Sequence, residues 1–321
     1  MKKIISSFVL ALVVYNFATA QNPYQVDTSA TNIRSVKSDV WVAPLKYNTL
    51  KSGARFMLLP PVETSPAYLD FKTKNAGNDE KLLTKDFGGR IFVYTKFTDI
   101  ISNNQNKRNY HFLCDGKEYI LEEWIPEDDN KFVNWKQSGL VWLDEVDLVK
   151  KKLEGKTVWI NADRWNYEQN GTNVAQFQPE RFAEITILQV GTGEYSNYPL
   201  RVLFQSKDGK KYFVDGYVSG SLGSYFSSDN LSKLILFEDP ESVYPKIKKQ
   251  WWQAVKNRQI DNGMNEEACI LSLGTPDSRD EYTLEKDVMT VLNYRKTMQR
   301  RYSLTIMLKN NEVVMINKFE D

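Results

Sequence analysis

The sequence predicts a mainly β chain: two tandem small β-barrel modules, then an α+β module of two helices covering a three-stranded antiparallel sheet. Three observations predict it. Short alternating apolar runs, separated by Gly, Asp and Asn turn signals, fill residues 52–217. Those runs occur twice in the same order. Beyond residue 236 the apolar spacing turns first to a helical period and then back to strict alternation.

The first twenty residues read as a signal peptide (1–20). Lys2 and Lys3 form a basic start, Ile4 to Tyr15 an apolar run, and Ala18-Thr19-Ala20 a small-x-small cleavage site that would leave Gln21 as the new terminus. The run falls short of the roughly twenty apolar residues a membrane span needs, and no later stretch approaches that length. The mature chain is expected to be exported, periplasmic or secreted, with no transmembrane segment. Since no cysteine lies at the cleavage point, it is not expected to be lipidated. Losing Lys2 and Lys3 takes the basic count from 42 to 40 against 41 acids. That near-neutral balance, without a sustained basic run, speaks against a nucleic-acid partner, whose phosphates need clustered cations.

Residues 21–48 form an N-terminal tail with few periodic apolar positions and at most one strand around Val40-Trp41-Val42. The first β-module is placed at 49–147. Its runs are "SGARFMLLP" (52–60), "GGRIFVYTKF" (88–97) and "YHFLCDGKEYILEEW" (110–124), the last turning at Asp115-Gly116. The second module, 148–235, repeats the series as "EGKTVWI" (154–160), "FAEITILQV" (182–190) and "LRVLFQSKDGKKYFVDGY" (200–217), turning at Asp208-Gly209. The middle and last runs are displaced by 93 residues and the opening runs by about 102, which marks a tandem repeat. Short strands, hairpins and a "GKxVxI"-like opening resemble the small SH3-like barrels of exported bacterial proteins.

The last module is placed at 236–321. Pro240 and Pro245 flank a helix start, and Ile247, Trp251 and Val255 recur four apart on a helix over 246–260 whose other positions are basic. Trp252 lies beside that stripe. In "NRQIDNGMNEEACILSLGTPDS" (257–278), Gly263 permits a turn and Asn265 is an N-cap. Glu266 and Glu267 meet the positive end of the helix dipole, while Gly274 and Pro276 end the helix after Leu273. Met264 and Cys269 fall at staple positions. Strands follow at 288–295 and 302–319, the latter turning at Asn310-Asn311.

This run resembles the SmpA/OmlA outer-membrane lipoprotein domain and the related β-lactamase inhibitor protein repeat. The family pattern I-x-x-G-M-[ST]-x-x-[EQ]-[VA]-x-x-x-[LF]-G-x-P is met by Gly263, Met264, Leu273, Gly274 and Pro276, with Asn265 replacing the Ser or Thr cap and Tyr294 on the aromatic strand. The resemblance implies a non-enzymatic protein–protein interaction or envelope-scaffolding module. Two departures stand out: this chain lacks a lipidated cysteine and carries a single such module.

Candidate chemistry is sparse. "EEWIPEDD" (122–129) and "LDEVD" (143–147) concentrate acids, and Glu122, Glu123 and Asp144 would be the carboxylates of a hydrolase of cell-wall or other glycans, provided a pair faces across about 5–10 Å. An exposed acidic rim is the blander reading. Their spacing misses a calcium loop, and Cys114 and Cys269 without a neighbouring histidine make no zinc site; no metal or cofactor is expected. His111, the sole histidine, sits in an alternating strand, and "SGSLGS" (219–224) only faintly matches a nucleophile elbow because Ser219 replaces its first glycine. Both cysteines are expected to be buried and reduced, with a cross-domain bridge as the alternative. A carboxylate neighbour raises a thiol pKa, so Glu266 and Glu267 do not make Cys269 a nucleophile.

Aromatic crowding is the stronger signal. Trp124, Trp135, Trp142, Trp159 and Trp165 lie within 42 residues, joined by Tyr167. Core packing accounts for most of them, and an exposed remainder would line a surface for a protein, peptide or glycan. The expectation is an exported, non-catalytic binding or scaffolding protein of the bacterial envelope. Its candidate contacts are Trp124, Trp135, Trp142, Trp165, Tyr167 and Trp252.

Overall fold

The computed structural model describes residues 41–43, 45–60, 71–73, 84–102, 105–129, 131, 133, 135, 139–162, 164–169, 173–195, 198–219, 230–295 and 303–319. Residues 1–20, expected as a signal peptide, and residues 21–40 lie outside them. Strand dominates: among the described residues seventeen strands form antiparallel sheets of six, seven and four. The described residues divide into two compact units, one reaching to Gln259 and one beginning at Ile260.

The first unit holds two sheets. One comprises β1 (Arg55–Leu58), β2 (Phe71–Thr73), β3 (Ile91–Ser102), β4 (Gln105–Cys114), β5 (Lys117–Trp124) and β6 (Leu140–Trp142), in the order β2-β5-β4-β3-β1-β6. The other comprises β7 (Thr157–Ile160), β8 (Trp165–Gln169), β9 (Asn173–Phe177), β10 (Ala183–Tyr195), β11 (Tyr198–Ser206), β12 (Lys211–Gly216) and β13 (Ile235–Leu236). Its order, read from the matching end, is β9-β8-β12-β11-β10-β7-β13. Apart from β9, the second order is the first with every strand replaced by its counterpart.

The correspondence extends to single residues. β3 changes register against β4 between Tyr94 and Lys96, and β10 does so against β11 between Ile187 and Gln189, 93 positions later in each case. The extra residue of such a bulge bends and twists its strand. Both sheets therefore bend at the same point. Each opening strand is also clasped in the same way: Gly53 N–H donates to Tyr94 O and Tyr94 N–H to Ala54 O, while Gly155 N–H donates to Ile187 O and Ile187 N–H to Lys156 O. Gly53 and Gly155 have φ of 93° and 75°, a region that costs other residues steric strain.

Two cores result. Phe56, Phe71, Tyr110, Phe112 and Trp135 make edge-to-face contacts inside the first sheet, and Phe92 stacks on Phe71. The second core uses Val158, Ile160, Ile185, Ile187, Val202 and Phe204, and it also takes in Val146, Val149 and Leu153 from the helix Leu143–Leu153. That helix joins the repeats, so the expected module boundary at 147/148 falls inside it.

The expected helix over 246–260 is shorter and differently phased. Lys249–Trp251 form a single 3-10 turn and Trp252–Lys256 the α-helix. This turn shifts the buried face: Ile247, Trp252 and Val255 are buried, and Trp251 is not. Trp252 packs against Phe182 and Tyr244 in the first unit.

The second unit consists of the helix Glu266–Leu273 and a sheet in the order β14 (Ser278–Leu284), β15 (Asp287–Tyr294), β16 (Ser303–Lys309), β17 (Glu312–Phe319). It has four strands where three were expected. β14 escaped because it is an edge strand exposed nearly throughout, so "SRDEYTL" shows no apolar alternation.

Candidate binding surface

Exposure sorts the aromatic residues that the sequence put forward. Trp135, at 2% exposed, Trp165 and Trp252 are interior. Trp135 stands edge-on to Phe56, Tyr110 and Phe112, and Trp165 to Phe204. As core residues these three do not present a face to a partner, which corrects the expectation for them. Trp142 and Tyr167 are half-buried against the cores, and the Trp142 Nε1–H donates to Asp144 at 3.3 Å.

Trp124 differs, being 60% exposed at the end of β5. The strand alternation that buries Tyr119 and Leu121 turns Glu118, Ile120, Glu122 and Trp124 to the opposite face. Register places Trp124 opposite Lys107, and Lys107 opposite Ile100, so the three form one row across β5, β4 and β3. Lys107 Nζ lies 5.7 Å from the indole centroid. In the next row Glu122 accepts from Lys107 at 2.5 Å and pairs with Lys72 at 3.7 Å. These lysines hold the Glu122 carboxyl below its ordinary range, the Lys107 hydrogen bond most of all. Together the two rows combine an open aromatic face with a fixed cation and a fixed anion.

The other acids are committed elsewhere. Asp144 and Asp147 both accept from Arg55, at 2.9 and 2.5 Å. Glu123 is also engaged. Glu122 as an ionised, cation-paired group is the reverse of a raised-pKa general acid. Among the described residues no cluster of three or more His, Cys, Asp or Glu could hold a metal ion.

His111 is buried on β4 with both ring nitrogens used. A carboxylate can only accept, so Nδ1–H donates to Glu118 Oε1 at 2.7 Å, and Nε2 meets Thr98 Oγ1 at 3.0 Å. This ties three neighbouring strands together. Ser219 is likewise internal. Its backbone N–H and hydroxyl donate to Glu145 Oε1 and Oε2 at 2.9 and 2.8 Å, and Val218 N–H adds a third bond at 3.3 Å. Sequence reasoning passed over Glu145, whose only signal is a lone acid among the apolar positions of an amphipathic helix.

Both cysteines are free and buried. Burial first, and Glu266 second, push the Cys269 thiol up to about 12, and burial also raises Cys114. Around Cys269 the signature residues act as the capping argument requires. Asn265 Oδ1 accepts from Ala268 N–H at 2.9 Å, and Met264 is fully buried. Gly263 and Gly274 take positive φ at either end of the helix, Tyr294 Oη–H donates to Gly274 O at 3.2 Å, and Pro276 is buried. Glu266 is held by Arg279 at 2.6 Å.

No helix among the described residues is long and apolar enough to cross a membrane. Comparison with protein-family models, curated proteins and solved structures found no match.

Proposed function

We propose that the protein is an exported binding or scaffolding protein of the bacterial envelope and that the Trp124 row is its contact surface for a peptide segment or a glycan. The observation that carries the proposal is the exposure of Trp124 beside Lys107 and the Lys107–Glu122 pair. An aromatic face with a polar pair alongside suits either ligand, since the ring offers a large rigid contact at little entropic cost. Within this reading the repeated sheets of the first unit are tandem SH3-like modules. The module placed at 236–321, which includes the compact unit beginning at Ile260, serves as an SmpA/OmlA-like protein-contact module. Two of the carboxylates of the competing hydrolase reading, Glu122 and Asp144, sit in ion pairs with Lys107, Lys72 and Arg55, which favours binding over glycan cleavage.

The test is cosedimentation of the mature protein with purified cell-wall glycan and, separately, with envelope membranes carrying their proteins. Trp124→Ala is expected to weaken capture at least about tenfold, the effect of losing a central aromatic anchor, while the melting temperature stays unchanged. Equal capture by the variant and the parent would rule out this surface. Release of soluble sugars from the glycan would favour the hydrolase.

A further inference from the structure

A small cavity adjoins the Glu145 clasp inside the first unit. About 20 Å³ of it is open to the centre of a water molecule, whereas one water needs roughly 10–15 Å³ on that measure. That is room for one water. Phe56, Leu140 and other apolar side chains form most of the wall. Among the described lining residues Trp142 carries an indole N–H, and two further polar groups, those of Trp135 and Glu145, break the wall.

These two groups have complementary needs. Trp135 is buried, and its indole N–H has no hydrogen-bond partner among the described residues. The Glu145 carboxylate is buried as well, but unevenly satisfied: Oε1 accepts the N–H groups of Val218 and Ser219, while Oε2 accepts only the Ser219 hydroxyl. A carboxylate oxygen takes about two donors. Oε2 thus keeps a lone pair to spare, and Trp135 keeps a proton. Trp142, which also lines the cavity, has its Nε1–H committed to Asp144.

We propose that this cavity is a built site for a single ordered water, which accepts from the Trp135 indole N–H and donates to Glu145 Oε2. The water completes a polar chain that runs from the aromatic core of the first sheet to the backbone after β12 in the second. It adds a polar link between the two repeats, which already share apolar packing through Leu59 and Val141 of the first and the core of the second.

A crystal structure detailed enough to show ordered solvent tests the site directly. The expected result is one density peak within hydrogen-bond distance of both Trp135 Nε1 and Glu145. A dry cavity overturns the proposal. In solution, a cross-peak between the Trp135 indole proton and a long-lived water is expected in the nitrogen-15-labelled mature protein, and its absence counts equally against the site. Trp135→Phe assigns the signal by abolishing it. Should that variant not fold, Glu145→Gln keeps an oxygen acceptor and is expected to retain the cross-peak at a shifted position, and an unmoved signal would place the water elsewhere.

Discussion

Glu145 shows how one residue can tie stability to pH. Burial raises its carboxyl pKa above the ordinary value of 4.5, and the Ser219 and Val218 donors only partly oppose that. The folded chain therefore holds the proton more tightly than the unfolded chain does. The corresponding stability is fully present below the unfolded pKa and is lost as pH rises through the higher folded one. Urea unfolding of the parent should show declining stability as pH climbs above about 4.5, and Glu145→Gln should flatten that decline; parallel curves would show that Glu145 is not the group responsible. The thiols make a second residue-scale case. With Cys114 and Cys269 buried and their pKa values raised, neither should react with a thiol reagent at neutral pH in the native protein, and both should react in denaturant. Native labelling of either one would contradict that burial.

Among the elements, hairpins and caps were the most legible. Asp115-Gly116, Asn310-Asn311 and the Asn265–Gly274 helix depend on local backbone chemistry, which a short sequence window contains in full. The joining helix Leu143–Leu153 was missed because its acids drew a site reading, while its apolar residues Val146, Val149 and Leu153 matter only once the second sheet is present to receive them. The tryptophans were half legible: strand alternation identifies an outward face, but Trp135 is hidden by neighbours that no window includes. The repeated clasp permits a sharper element-scale prediction. Nothing would obstruct a Cβ at Gly155, so Gly155→Ala tests backbone strain alone and should cost about 1 kcal/mol. Gly53→Ala should cost about the same. A much larger loss at one site, read from denaturant midpoints, would show that the two clasps are not equivalent.

For the whole molecule, the division at 259/260 implies two cooperative bodies, because each unit encloses its own apolar interior. Residues 260–321 bury Met264, Cys269, Leu292, Tyr294, Leu304, Ile306 and Leu308 between one helix and one face of a four-stranded sheet. Such a short piece is near the lower size limit for independent folding, where the net balance of burial against chain entropy is only a few kcal/mol. One cap therefore matters more there than it would in a larger domain. Removing the Asn265 side-chain acceptor by Asn265→Ala leaves the Ala268 N–H unmet at the helix start and should cost about 1 kcal/mol. In the full chain this substitution is expected to lower one calorimetric transition by several degrees, while Gly155→Ala lowers the other. Expressed alone, 260–321 should show the same sensitivity to Asn265→Ala. A single transition that both substitutions shift together would mean that the two units unfold as one.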